Sequence, residues 1–183
     1  RAVDTVIAEQ GHIDMLVNNA GMGIGGPIEF TPDEDIELQM NTNFMGMVRF
    51  SKAVLPHMRE RKCGKIVFLS SIGGLMGLPF QGFYSASKFA IEGYAEALRM
   101  EVHNFRISVS LVNPGDFSTG FTGKRRKTTA FRIFCQSCAF HIDAFPTQKL
   151  THRPVQSASP FGEADDCQFH LLASLNSVVK AGL

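Results

Sequence analysis

The chain has 183 residues, 44% of them hydrophobic and 19% charged, with a net charge of +1. These are the values of a globular protein with one domain and a sizeable core, and the near-neutral balance gives no electrostatic case for nucleic acid. No apolar run reaches the roughly 18 residues of a membrane span. The first residues show no secretory leader pattern, so the expectation is a cytoplasmic protein with its 4 cysteines as free thiols.

Residues 2–9 have the apolar spacing of a helix end, with Gly11 as the stop. Residues 13–17 read as a strand that Asn18-Asn19 terminates. Gly21-x-Gly23-x-x-Gly26 matches the dinucleotide fingerprint literally. The fingerprint's glycines must open a helix whose amides meet phosphate, and here residues 27–30 intervene before the next helix. These glycines therefore read as a loop beside a cleft or a surface turn. Thr31-Pro32-Asp33-Glu34 reads as a helix start, with Thr31 as N-cap and Glu34 completing a capping box. The helical pattern runs through Phe44, Phe50 and Val54 towards Arg61, bent or interrupted near Pro56.

Residues 65–69, after Gly64, form a β-branched and aromatic run typical of a buried strand. Ser70-Ser71 stands at its end, and Gly73, Gly74 and Gly77 lie in the loop that leads to the next helix. Residues 84–103 read as a helix, Ile107–Val112 as a strand, and Pro114-Gly115 as a turn. The alternation predicts parallel strands with right-handed crossovers.

Residues 1–123 thus form one unit, and residues 124–183 a loop region and an atypical tail with disordered parts. Lys124-Arg125-Arg126-Lys127 reads as a solvated loop rather than a nucleic-acid or targeting patch. Cys135-x-x-Cys138, near His141, His152 and His170, lacks the second ligand pair of a zinc site, so no metal is expected. Residues 147–160 read as loop or disorder and residues 169–179 as a short closing helix.

Tyr84-Ser85-Ala86-Ser87-Lys88 carries the most chemical information. Residues four apart on a helix share a face, and a fixed cation beside a phenol of reference pKa about 10 favours its ionised form. The spacing alone arises by chance in about a tenth of such chains. Its setting adds weight, because ligands of open α/β sheets bind outside the carboxyl ends of the strands. Ser71 at a strand end and Tyr84 at the start of the next helix can face one cleft there.

Asn18-Asn19-Ala20-Gly21, Asn43 within Asn-Phe-Met-Gly, Ser71, Tyr84-x-x-x-Lys88 and Pro114-Gly115-x-x-x-Thr119 follow one another in a familiar order. From Gly11 to Phe121 the chain resembles the short-chain dehydrogenase/reductase family. Its loop Gly74-Leu75-Met76-Gly77-Leu78-Pro79 is similar to that of members acting on hydroxysteroids or retinol. The resemblance implies an α/β fold, a Rossmann-like doubly wound parallel sheet, here missing its first two or three strands. The family's Thr-Gly-x-x-x-Gly-x-Gly pyrophosphate turn has no counterpart before Asn18, and a strand–helix–strand unit needs about 30 residues.

The resemblance also implies roles. Tyr84 would be the acid or base at the reacting oxygen, and Ser71 would hydrogen-bond that oxygen. Lys88 would favour the ionised phenol and bind the nicotinamide ribose. Asn43, on a distorted helical turn, would hold a relay water. Asn18, Ala20, Gly21, Pro114, Gly115 and Thr119 would join Tyr84 and Lys88 around NAD or NADP. A small alcohol or carbonyl substrate and a homo-oligomer through the helices of Tyr84 and Asn43 follow from the same resemblance. The competing reading is a non-catalytic relative that serves as an interaction or oligomerisation module.

Overall fold

A computed structural model describes residues 1–115, 125–129 and 171–173. Helix α1 (Ala2–Gln10) stops at Gly11, whose φ of 81° is the left-handed conformation that glycine adopts at least cost. Strand β1 (Met15–Asn18), the short strand β2 (Ile24–Gly25), a 3-10 turn (Ile28–Phe30) and helix α2 (Asp33–Met40) follow. A π turn (Asn41–Met45) leads into α3 (Gly46–Arg61). Then come β3 (Gly64–Leu69), a 3-10 turn (Ile72–Gly74), the long helix α4 (Gly82–Val102) and β4 (Ile107–Val112). Two short strands, β5 (Arg126–Lys127) and β6 (Leu171–Ala173), lie beyond.

The main sheet has the order β4-β3-β1-β6, with every pairing parallel. Its register aligns Leu16 with Ile66 and Ile66 with Val109, so these side chains share a face, and Phe68 continues the row. Leu16, Ile66 and Phe68 are at most 1% exposed and belong to one core with Val54 and Met58 of α3 and Ile91, Ala95 and Leu98 of α4. Burying each of the larger side chains, Ala95 aside, stabilises the fold by about 1.5–3 kcal/mol. The alternate row is more open: Lys65, Ser108 and Ser110 are exposed, while Val17 and Val67 are half-buried. Arg99 of α4 donates to the Val109 carbonyl at 2.9 Å and so occupies an acceptor on the β4 edge. Among the described residues no helix is long and apolar enough to cross a membrane.

The elements match the expected order, with local differences. Thr31 does not cap α2; its hydroxyl donates to the Pro27 carbonyl at 2.8 Å, and no side chain caps the helix. Asp33, Glu34 and Asp35 instead put negative charge on the first turn, where the helix dipole favours it. Helix α3 stays continuous through Pro56, and the irregularity falls at the π turn, where the family resemblance puts a distorted turn around Asn43. The side chain of Asn43, tied to the loop after β1, draws the break there.

Residues 23–26 are buried rather than a surface turn. Gly26 N–H donates to the Phe80 carbonyl at 2.8 Å, and Thr128 N–H donates to the Gly25 carbonyl at 3.0 Å. The basic cluster is not simply a solvated loop, since Arg126 and Lys127 form β5 against β2 and Arg126 pairs with the buried Asp35 at 2.9 Å. Residues 171–173 of the expected closing helix are a strand on β1; a short apolar run does not distinguish the two by periodicity. Cys63 is disulfide-bonded, contrary to the expectation of free thiols. Thr119, the Cys135/Cys138 pair, Cys167, His141, His152, His170 and residues 147–160 lie outside the described residues.

Candidate active site

The carboxyl ends of β1, β3 and β4 converge on the first turns of α4. Two backbone bonds close this end of the sheet: Ser70 N–H donates to the Val112 carbonyl at 2.8 Å and Ile72 N–H to the Pro114 carbonyl at 3.1 Å. Pro114 is thereby held beside the turn that begins at Ser71, and Gly115 follows it, exposed.

Tyr84 and Lys88 lie one turn apart on α4, 7% and 4% exposed. The Lys88 Nζ stands 5.7 Å from the centroid of the Tyr84 ring and donates to the Leu69 carbonyl at 2.7 Å, which ties the amine to the end of β3. Burial pushes the Lys88 amine down from the usual 10.5 to about 8, with the Glu92 carboxylate partly opposing the shift. Lys88 thus remains mostly protonated at neutral pH and is a fixed cation in a poorly hydrated place.

Gly21 brings the end of β1 to the same point. A Cβ at this position would lie 3.5 Å from Asn43 Oδ1 and 3.8 Å from Lys88 Nζ. Asn43 is fully buried and holds the loop in both directions, accepting from Met22 N–H at 2.8 Å and donating to the Met22 carbonyl at 2.9 Å. Its amide also donates to Ser87 Oγ at 3.1 Å, and Ser87 donates to the Tyr84 carbonyl at 2.7 Å. The π turn is therefore linked to the helical turn that carries the Tyr–Lys pair. Four residues earlier, Gln39 accepts from Ile24 N–H, so two consecutive helical turns pin the loop.

Ser71 caps the turn after β3, its Oγ accepting from Gly73 N–H at 3.1 Å. Gly73 packs on the tyrosine: a Cβ there would lie 3.2 Å from Tyr84 Cε1. The serine turn and the phenol ring thus form one wall. Asn18 is directed elsewhere, its buried amide donating to Ser51 Oγ at 3.1 Å. Ser51 also hydrogen-bonds Tyr94, whose phenol burial pushes up. Tyr94 packs edge-on to Phe44 and Phe68, with centroids 5.9 and 5.8 Å away, which makes the second tyrosine a core residue.

The structure brings together Gly21, Asn43, Ser71, Tyr84, Lys88 and Pro114, leaves Gly115 exposed beyond them, and turns the Asn18 side chain inward. Sequence reasoning missed Gln39, Ser87 and Glu92. Their positions carried a signal: Gln39 precedes Asn43 by one turn, and Glu92 extends the Tyr84, Lys88 stripe by another. Among the described residues no group of three His, Cys, Asp or Glu side chains could hold a metal ion.

The fold and this end of the sheet define a Rossmann-like α/β domain with its ligand cleft at the strand ends. The model of the short chain dehydrogenase family matches residues 1–130, and the chain belongs to that family. It is 62% identical over 125 residues to 3-ketodihydrosphingosine reductase of Bacteroides thetaiotaomicron, covering 68% of this chain and 46% of that protein. Retinol dehydrogenase 8 of Homo sapiens is 50% identical over 115 residues, with 63% and 37% covered. The solved gluconate 5-dehydrogenase of Burkholderia cenocepacia, in complex with NADP and tartrate, superposes with a TM-score of 0.65 at 30% identity, covering 66% of this chain and 48% of that one. The chain spans less than half the length of each of these proteins.

Proposed function

We propose that this chain carries the proton-transfer side of an NAD(P)-dependent oxidoreductase that interconverts an alcohol and a carbonyl. The observation that carries this reading is the buried Tyr84–Lys88 pair, 5.7 Å from amine to ring, set against the turn of Ser71 and the amide of Asn43. Tyr84 Oη gives its proton to the carbonyl oxygen on reduction and takes the hydroxyl proton on oxidation. Ser71 Oγ accepts from Gly73 and keeps its own proton to donate to the same oxygen. Lys88 has three protons, of which one is directed at Leu69, leaving donors for ribose hydroxyls. Asn43 holds the loop, and with both amide protons committed to Met22 and Ser87 the second lone pair of its Oδ1 is what it offers a relay water.

Hydride transfer is the chemistry that a bound nicotinamide supplies. The space in front of Gly21, bounded by Asn43 and Lys88, suits the nicotinamide ribose end of such a cofactor. Ala20, Gly21, Pro114, Gly115 and Thr119 complete the proposed contacts, with Asn18 contributing through its backbone because its amide is committed to Ser51. The described residues include no Gly-rich strand-to-helix turn for the pyrophosphate. The NADP held by the gluconate 5-dehydrogenase supports NAD(P) without deciding between NAD and NADP.

An apolar alcohol or ketone fits the mouth best. Ile28, 64% exposed, packs on Gly82, where a Cβ would lie 2.7 Å from Ile28 Cδ1, two residues before Tyr84. Leu75 and Met76 are exposed on the loop before α4. The names of the reductase and retinol relatives accord with that chemistry. A homo-oligomer through α3 and α4, which expose Phe50, Phe89 and Met100, and a cytoplasmic location complete the proposal.

Fluorescence titration of the chain with NADH and with NADPH tests it. Saturable binding that weakens in Lys88→Met supports the reading. No saturable binding of either nucleotide refutes function by the chain as it stands and leaves the interaction module.

A further inference from the structure

Helix α4 carries Tyr84, Lys88 and Glu92 at successive four-residue steps, which places all three on one stripe. The first two belong to the proposed site. The third is half-buried and accepts from Asn113 Nδ2 at 2.5 Å, a short, charge-assisted contact. Asn113 is the first residue after β4 and leads directly into Pro114 and Gly115, whose carbonyl at Pro114 accepts from Ile72 beside Ser71.

Gly74 shows how tightly this corner is built. A Cβ there would lie 3.2 Å from Glu92 Oε1, 3.1 Å from the Lys88 carbonyl and 2.6 Å from Ser70 Oγ. The Glu92 carboxylate, the backbone of the lysine turn and the end of β3 thus share the space that glycine leaves open.

We infer that Glu92 is a positioning residue: it clamps Asn113, and with it the Pro114–Gly115 turn, onto α4, and its carboxylate, one helical turn from Lys88, is the counter-charge of that amine. The role assigned to Lys88 rests on the reading proposed above, whereas the clamp rests on contacts alone. From the elements around Lys88 come the Gly21 backbone and Asn43 amide on the β1 side, the Leu69 carbonyl of β3, and Tyr84 and Glu92 of α4 itself. Glu92 is the anionic group among these, and it opposes the effect of burial on the amine.

The test is a pH titration of the chain labelled with 13Cε-lysine, with the Lys88 signal assigned by its loss in Lys88→Met. Glu92→Gln keeps an acceptor for Asn113 and removes the charge, so the Lys88 midpoint shifts to lower pH. Asn113→Ala changes no charge but frees the carboxylate towards solvent, so its midpoint also falls, by less than in Glu92→Gln. An unchanged midpoint in Glu92→Gln overturns the counter-charge, and an unchanged midpoint in a folded Asn113→Ala overturns the clamp. If Asn113→Ala fails to fold, Asn113→Leu serves instead: it is similar in size, carries no charge and cannot donate to Glu92, so the Lys88 midpoint again falls, and no fall overturns the clamp. The readout needs no turnover, so absence of nucleotide binding would defeat the proposed function and leave this inference standing.

Discussion

Replacing Lys88 by methionine gives a stability difference that depends on pH in a calculable way. Burial holds the Lys88 amine at about 8 rather than 10.5, and each unit corresponds to about 1.4 kcal/mol. The folded chain therefore retains this proton only to about pH 8, whereas the unfolded chain retains it to about 10.5. Between those limits the unfolded state binds more protons, so the parent gains stability as pH rises, by about 3 kcal/mol across the window. Lys88→Met has no group to titrate here and misses that gain. It also loses the bond to the Leu69 carbonyl, a cost of about 1–3 kcal/mol, but that cost is nearly the same at every pH. The advantage of the variant over the parent should thus fall by about 3 kcal/mol between pH values of about 7 and 10.5. Urea unfolding of both proteins at half-unit steps, followed by circular dichroism, measures it, and other lysines and Tyr94 cancel in the difference. Parallel stability profiles would refute a desolvated amine at this position.

Asn43→Ala leaves the Met22 N–H and carbonyl without their side-chain partner and should destabilise the chain by about 2–4 kcal/mol in the same urea assay; a loss confined to nucleotide binding would contradict the structural part of its role. Gly64→Ala puts a Cβ 2.5 Å from Met58 Sδ and 3.0 Å from Met58 Cβ in the core, so a loss of about 1–3 kcal/mol is expected, partly relieved by Met58→Ala. Asp14→Ala strips the buried carboxylate from Arg61 and His12, which lie 3.0 and 3.2 Å away, and should cost about 3 kcal/mol, the low end for a broken buried pair because Arg61 reaches solvent. Thermal unfolding of Asp14→Ala alone and with Arg61→Ala checks it, since the double variant should recover part of the loss.

Sequence pattern revealed most of the fold because the strands announce themselves. Residues 65–69 are a largely apolar run and Ile107–Val112 an alternation broken by Ser108 and Ser110, each set beside turn residues, and both became strands at nearly the expected limits. The irregular helix was harder to place. Pro56 looks like the break from residue pattern alone, but the helix tolerates it; the distortion at Asn41–Met45 was legible only through the family resemblance, because it involves Asn43 finding Met22 across 21 residues. The Thr31 cap failed for a related reason, its hydroxyl being taken by the Pro27 carbonyl. Motif order singled out Tyr84, Lys88, Asn43 and Ser71, which the fold gathers at one end of the sheet, whereas Asn18 shows what a motif omits: the direction in which a side chain points.

The proposed site is assembled from contacts that are nearly all local to three strand ends and one helix. Asn43 joins the β1 loop to Ser87, Lys88 joins α4 to Leu69, Gly73 rests on Tyr84, and Glu92 joins α4 to Asn113. Each is a bond or packing contact between described residues of the first 115, so the geometry of the Tyr–Lys pair is fixed by this part of the chain itself. Nucleotide affinity is a separate matter, since phosphate recognition draws on a helix N-terminus with glycines in front of it, and residues 21–26 do not provide one. Formation of the proposed proton-transfer corner and binding of nucleotide are therefore separable properties of this chain. That separation makes the Lys88 titration midpoint, rather than turnover, the decisive measurement of whether the corner is built as described.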